Sequence, residues 1–128
     1  MLSRRLFLFA AGAGLAGIAP ARAFAFQPYD PAEVKKTIAS GRPVIVHVYA
    51  PWCLQCHAQA SILGSLEGDK AYDGVRFFRV DYDGQKDVVD QLGCPRSTLI
   101  AYRGGREVAR MSWGMSEDSV LGVLKAAL

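Results

Sequence analysis

The chain has 128 residues, which is enough for one domain with a hydrophobic core and too few for two domains of ordinary size. Its formal net charge is +3, but three arginines and no acid lie within residues 1–23, so the rest of the chain is neutral overall. Positive and negative side chains are interspersed along that remainder, which excludes a strongly basic nucleic-acid-binding face and a cationic membrane-surface helix.

Residues 1–23 have the features of a signal peptide. A basic start with Arg4 and Arg5 is followed by a short apolar, glycine-rich stretch and by a small-residue site that ends at Ala23. The arginine pair, with serine before it and Leu-Phe-Leu after it, resembles a twin-arginine signal, which directs the export of folded proteins. We therefore expect cleavage after Ala23, or alternatively after Ala25, and a periplasmic domain of residues 24–128 without stable membrane association.

Beyond the leader, strand and helix patterns alternate in the order (β)αβαβαββα. Predicted strands lie near residues 24–27, 44–50, 75–81, 98–102 and 106–111, and predicted helices near residues 31–40, 53–67, 85–92 and 116–128. The run from Val44 to Ala50 is β-branched and almost wholly apolar, which is typical of a strand buried on both faces. Gly104 and Gly105 predict a two-residue hairpin turn between antiparallel strands. The pattern predicts an α/β fold with a central mixed β-sheet flanked by helices on both faces.

Cys53 and Cys56 lie where a buried strand passes into a helix. A thiol at a helix N-terminus is close to unpaired backbone N–H groups, which stabilise its thiolate and lower its pKa. We therefore predict Cys53 as the nucleophile. Cys56, one turn later, can attack a mixed disulfide at Cys53 and release the substrate, so we predict it as the resolving thiol of a redox-active disulfide.

With this motif in place, the sequence resembles the thioredoxin family over residues 24–128. Trp52, Cys53 and Cys56 match that family's WCxxC motif, Thr98 matches the strand start after its substrate-binding loop, and the glycine pair matches its hairpin. The resemblance implies a thioredoxin-like fold and a thiol-disulfide oxidoreductase that acts on protein thiols and disulfides and is reset by a redox partner. It also implies that Trp52 shields and orients the site. We expect a monomer without organic cofactor or resident metal.

One departure from the family lies in the predicted substrate-binding loop. The family has a cis-proline directly before the threonine, whereas this chain has Ser97 before Thr98, and its nearest proline is Pro95. Two interpretations follow. Ser97 either fills the place with a similar backbone geometry, or its loop changes peptide docking and opens the dithiol to a metal ion or to Cys94.

A second departure concerns the floor of the site. His47 stands where the family buries a carboxylate beneath the dithiol, and Arg79 stands where it often has a lysine. His47 is either a base for the resolving thiol or a hydrogen-bonded core histidine. A cationic floor favours thiolates over the disulfide, so we expect a reduction potential above the roughly −270 mV typical of thioredoxin.

Two alternatives from other functional classes remain. Cys53, Cys56 and Cys94, with His57 nearby in sequence, are soft ligands that suit a metal-binding or metal-delivery module. The run Cys53-Leu-Gln-Cys56-His57 also satisfies the C-x-x-C-H pattern of covalent haem attachment, although the strand signals around it are not typical of a small helical cytochrome.

Overall fold

A five-stranded mixed sheet organises the part of the chain that the computed structural model describes, residues 26–128. The predicted signal peptide and its cleavage site lie outside the described residues. The strands are β1 (Gln27–Pro28), β2 (Val44–Tyr49), β3 (Arg76–Asp81), β4 (Thr98–Arg103) and β5 (Arg106–Ser112). The helices are α1 (Pro31–Ala39), α2 (Leu54–Ser65), α3 (Lys86–Leu92) and α4 (Glu117–Ala126), with a short 3₁₀ helix at Lys70–Tyr72 that the sequence pattern did not predict.

The sheet has the strand order β1-β3-β2-β4-β5, which places β2 at its centre. β2 runs parallel to β3 and antiparallel to β4. β4 and β5 form the predicted hairpin, whose turn residues Gly104 and Gly105 have φ angles of 62° and 85°. Glycine adopts this left-handed region without steric penalty, so the glycine pair directs the chain back on itself. The predicted element order and the α/β fold are confirmed.

Helices cover both faces of the sheet, which explains why the central strands are apolar at almost every position. One core lies between the sheet and α1 and α3, and it includes Val34, Val46, Val80, Val88 and Ile100. The other lies between the sheet and α2 and α4, and it includes Ile45, Leu63, Phe77, Leu99 and Leu124. Burying each such side chain stabilises the fold by about 1.5–3 kcal/mol before entropy is counted. This packing holds the carboxyl end of β2 in place.

Local capping signals explain where two of the helices begin. Ser116 is the N-cap of α4, as predicted, and its hydroxyl accepts a hydrogen bond from the Ser119 backbone N–H at 3.1 Å. Asp30 caps α1 in the same way, at 3.1 Å from the Ala32 N–H. Within residues 26–128 no helix has both the length and the apolar character needed to cross a bilayer.

Candidate active site

The turn between β2 and α2 places Cys53 at the N-cap of a helix. The Cys53 N–H donates to the Ala50 carbonyl at 3.1 Å, which closes the turn. Cys53 itself is extended, with φ −91° and ψ 113°, and its sulfur accepts the backbone N–H of Cys56 at 3.2 Å. A cysteine thus takes the role that serine or aspartate usually plays at a helix start. The helix directs unpaired N–H groups, and the positive end of its dipole, at this sulfur.

The two sulfur atoms of the pair differ in their electrostatic surroundings. Burial raises the pKa of the Cys53 thiol, but hydrogen bonds from the Cys56 thiol and backbone N–H, together with the Arg96 guanidinium, outweigh burial and leave that pKa below its ordinary value. Burial and the neighbouring Cys53 sulfur raise the pKa of Cys56. The site can therefore hold one thiolate, on Cys53, beside one protonated thiol, on Cys56.

Arg96 is a site residue that the sequence analysis missed. It lies in the loop before β4, and its guanidinium carbon is 4.7 Å from the ring centroid of Trp52 and 4.8 Å from that of Trp113. Trp52 is fixed by a hydrogen bond of 2.8 Å from its indole N–H to the Asp83 carboxylate. Nothing in the local pattern indicates that a loop arginine folds onto two tryptophans distant in sequence.

His47 lies fully buried on β2 and is held by Gln59 of α2. The Gln59 amide nitrogen donates to the carbonyl oxygens of Ser97 at 3.0 Å and Gly114 at 2.9 Å, so its amide oxygen must face His47. The His47 Nε2 therefore carries the proton and donates to that oxygen at 3.0 Å. Burial lowers the pKa of His47 to about 4, against the raising effect of the Gln59 bond, so the ring is neutral at physiological pH.

This arrangement favours the interpretation of His47 as a hydrogen-bonded core histidine. Its Nδ1 is buried without a hydrogen-bond partner, and its ring lies 5.8 Å from that of Phe26. The sequence analysis also missed Gln59. A signal was available, because Gln59 lies three residues after Cys56 and four before Leu63, on the helix face that both of those buried residues share.

Arg79 supplies the positive charge beneath the pair. Its guanidinium carbon lies 4.1 Å from the ring centroid of Phe26 and 4.3 Å from that of Tyr49, so it is held between two aromatic faces. Its charge would stabilise Cys56 when that thiol loses its proton. Within residues 26–128 the fully buried polar side chains are His47, Gln59, Ser97 and Thr98, with no carboxylate among them. The floor is cationic through Arg79, whereas His47 adds no charge at neutral pH.

Ser97 does not reproduce the backbone of a proline. Its φ is 63°, in the left-handed region, whereas proline is held near −65°. The Ser97 N–H donates to the Val48 carbonyl at 2.8 Å, a bond that proline cannot make. Every peptide bond of the described residues is trans, including those before Pro95 and Ser97. The interpretation that Ser97 keeps proline-like geometry is therefore wrong.

Thr98 joins the substrate loop to the hairpin. Its hydroxyl donates to the Pro95 carbonyl at 2.8 Å, and it accepts a hydrogen bond from the Ser112 hydroxyl at 2.7 Å. Thr98 is fully buried, at the first position of β4. These bonds hold the loop against the end of β5.

Cys94 and His57 are not brought together with the pair. Cys94 packs with Val88 and Ile100 in the core on the α1 and α3 face. The His57 ring is exposed and hydrogen-bonds the Pro51 carbonyl. No group of three or more His, Cys, Asp or Glu side chains suited to a metal ion occurs among residues 26–128.

Haem attachment needs two accessible thiols, and Cys56 is fully buried. These contacts favour neither the metal nor the haem alternative.

Comparison with known proteins adds an independent observation. The thioredoxin family profile matches residues 26–126. The chain is 31% identical over 78 residues to thioredoxin Asp f 28 of Aspergillus fumigatus, covering 60% of this chain and 70% of that protein. It is 32% identical over 81 residues to thioredoxin-2 of Saccharomyces cerevisiae, covering 62% and 76%. The crystal structure of Trxlp from Edwardsiella tarda is similar with a TM-score of 0.73 and 38% identity, covering 78% of this chain and 98% of that one.

Proposed function

Because the chain belongs to the thioredoxin family, we propose that Cys53 attacks disulfides of protein substrates and that Cys56 resolves the mixed disulfide. Membership in that family, together with the Cys53-x-x-Cys56 pair, makes the chain a thiol-disulfide oxidoreductase with these two cysteines as its active-site pair.

The proposed reaction has two exchange steps. The Cys53 thiolate attacks one sulfur of a substrate disulfide, which forms a Cys53–substrate disulfide and expels the other substrate sulfur as a thiolate. Cys56 then gives up its proton and attacks the Cys53 sulfur, which releases the second substrate thiol and leaves a Cys53–Cys56 disulfide. Two electrons pass to the substrate. A dithiol partner protein returns the pair to its reduced form, and the same steps in reverse would oxidise a substrate dithiol.

The observation that carries this assignment is the contrast between the two sulfurs. Cys53 accepts the Cys56 N–H at the helix start, and its pKa is lowered, whereas the pKa of Cys56 is raised. A nucleophile needs thiolate character, and a resolving thiol must stay protonated until the mixed disulfide has formed.

Trapping experiments test the two roles. Reduced Cys56→Ser protein should accumulate a mixed disulfide with a disulfide-containing protein substrate, whereas Cys53→Ser protein should not. Cys94→Ser is the matched control and should turn over normally, because Cys94 packs on the other face of the sheet. Trapping through Cys56 in the Cys53→Ser variant would contradict the assignment.

We also propose that the protein is exported and acts in the periplasm as a monomer. The support is the sequence of residues 1–23, with its arginine pair, apolar stretch and small-residue site. Expression of the full chain in a bacterium with a twin-arginine pathway should give a cleaved periplasmic product that is monomeric by light scattering. The Arg4→Lys/Arg5→Lys variant should remain uncleaved in the cytoplasm, and its normal export would contradict the twin-arginine assignment.

A further inference from the structure

Arg96 is a cation that faces the reactive sulfur without an acidic partner. The ion pairs of residues 26–128 join Arg76 to Glu33 and Arg110 to Glu107, so neither includes Arg96. The Arg96 Nε is buried and makes no hydrogen bond. Leaving a buried donor of a charged group unpaired is costly. The guanidinium also hydrogen-bonds the Cys53 sulfur, so a ligand carboxylate that reaches its outer N–H groups would supply the opposite charge that Arg96 lacks.

The two tryptophans beside Arg96 determine which part of it stays available. Trp52 and Trp113 lie within 4.8 Å of the guanidinium carbon and stack against it. Stacking occupies the faces of a guanidinium and leaves the N–H groups at its edge, which form a planar fork that matches a carboxylate. The stacked arginine is therefore pre-organised for an anion.

Trp113 is held in this position by its backbone. It has φ 70°, which is unusual for a bulky residue, and its N–H donates to the Ser97 carbonyl at 2.8 Å. Such backbone strain persists only where surrounding contacts enforce it. The bond to Ser97 ties Trp113 to the loop that also carries Arg96.

The surface around this cation is suited to a peptide. Trp52 is 59% exposed, and Leu54, Trp113 and Met115 are also large exposed apolar side chains. Only 1% of Cys53 is exposed, so an incoming disulfide must displace a side chain that lies against the sulfur. A substrate carboxylate paired with Arg96 would draw the guanidinium away from Cys53 as the disulfide arrives.

We propose that Arg96 selects substrates by binding a carboxylate next to the target disulfide, so that the enzyme prefers peptide segments with Asp or Glu beside the reactive cysteine. This inference rests on the proposed exchange reaction and adds its substrate class. The occupant is an extended acidic peptide, which the guanidinium, in no ion pair among residues 26–128, and the exposed side chains of Trp52 and Trp113 favour by charge and by shape.

The test compares two peptides that each contain one intramolecular disulfide and differ only in having Glu or Gln beside the cysteines. Second-order rate constants for their reduction by reduced residues 24–128 are measured by stopped flow at low salt. The same peptides are reduced by a small dithiol, which gives the rate ratio that belongs to the peptides themselves. Relative to that ratio, we expect the Glu peptide to react roughly threefold to tenfold faster than the Gln peptide with this protein.

Variants assign the preference to one side chain. In Arg96→Met the Glu-to-Gln ratio should fall to that of the small dithiol, and in Arg96→Lys it should be intermediate, because lysine keeps the charge and loses the planar fork. Arg106→Met is the matched control. It removes the same charge from the hairpin, beyond the far end of β4, and should keep the full ratio. Added salt should lower the Glu-to-Gln ratio of the wild-type protein, because ions screen the attraction between the peptide carboxylate and Arg96.

The outcomes separate this inference from the reaction on which it rests. Reduction of both peptides with no preference for Glu, or a preference that survives in Arg96→Met, would overturn the role of Arg96 and leave the exchange reaction standing. Failure of the wild type to reduce even the Gln peptide would overturn both. Because a ratio is measured, a change in Cys53 reactivity that affects the two peptides equally does not alter the conclusion.

Discussion

Arginines held between aromatic rings are the main residue-scale feature of this active site. Arg79 lies between Phe26 and Tyr49, beneath Cys56. Arg96 lies between two tryptophans, where its charge acts on Cys53. Each stack keeps a positive charge close to a sulfur, and neither arginine forms an ion pair among residues 26–128, so the charge favours thiolate.

Alkylation of Cys53 should therefore follow a pKa below the value of about 8.5 that is typical of a free cysteine. Its pKa is lowered in spite of burial, because the Cys56 donors and Arg96 favour the thiolate. The rate of iodoacetamide reaction with the reduced protein, measured against pH with the site located by mass spectrometry, should show one sulfur that reacts at lower pH than a free cysteine. Arg96→Met should move the midpoint upward. A midpoint at or above 8.5, or first reaction at Cys56, would contradict this prediction.

His47 should remain neutral over the whole physiological range. Burial lowers its pKa from 6.5 to about 4, so between these two values the unfolded chain binds the extra proton and the folded chain does not. Folding stability should therefore rise as the pH rises from about 4 to 6.5 and then level off, by roughly 3 kcal/mol in total for this group.

Two measurements check the titration of His47. The chain has 2 histidines, so in the variant His57→Gln the remaining imidazole signal in an NMR titration belongs to His47 and should stay unprotonated down to pH 5. Urea unfolding of His47→Leu/Gln59→Leu should lose the corresponding slope between pH 4 and 6.5. Protonation of His47 between pH 6 and 7 would support a base role instead.

At the scale of elements, α2 ties the active-site cysteines to two loops. Gln59 reaches from the buried face of α2 to carbonyl oxygens before β4 and before α4. The helix N-terminus that activates Cys53 and the loop that carries Arg96 are thus joined through one amide. Since Ser97 lacks the rigid ring of proline, this amide helps to fix its loop in the left-handed conformation.

Replacing Gln59 should lower the free energy of unfolding, whereas replacing a glutamine on the surface should not. In Gln59→Leu, the Gly114 carbonyl and the His47 Nε2–H lose their partners inside the core, which should lower the free energy of unfolding by about 2–4 kcal/mol. Gln91→Leu on the exposed side of α3 is the matched control and should change it by less than about 0.5 kcal/mol. Urea unfolding of the reduced proteins gives both values, and equal effects would show that the Gln59 network contributes nothing.

At the scale of the whole molecule, the charges near the pair connect folding to redox state. Only the reduced protein has the Cys53 and Cys56 thiols to titrate, whereas the Cys94 thiol is present in both redox forms. Because the folded-state pKa of Cys53 lies below that of an unfolded cysteine, the unfolded reduced chain binds more protons between these two pKa values, and reduced-state stability rises with pH there. The oxidised form lacks this contribution, while His47 affects both forms.

We accordingly predict a reduction potential above the roughly −270 mV typical of thioredoxin. Equilibration of residues 24–128 with glutathione buffers gives the potential, with Cys94→Ser as the control that should retain it. Urea unfolding of both redox forms should also show the stability difference, reduced minus oxidised, growing with pH between the lowered pKa of Cys53 and the pKa of an unfolded cysteine. A potential at or below −270 mV, together with a difference independent of pH, would exclude net stabilisation of the thiolate by Arg79 and Arg96.

The amino-acid sequence by itself determined the order of the elements, the hairpin turn and the position of Cys53 at a helix start. These features depend on local signals, namely apolar periodicity, capping residues and a glycine pair, which act over a few neighbouring residues. They were sufficient for the fold and for the reactive pair. The tertiary structure alone decided what surrounds that pair.

Three particular contacts show why the sequence could not decide the rest. Gln59 bonds partners 38 and 55 residues away, Arg96 stacks on tryptophans from two different loops, and Cys94 packs away from the dithiol. Each depends on how close β2, α2 and the two loops come when both faces of the sheet are buried. Local propensity does not encode such distances, because they arise from the packing of side chains far apart along the chain.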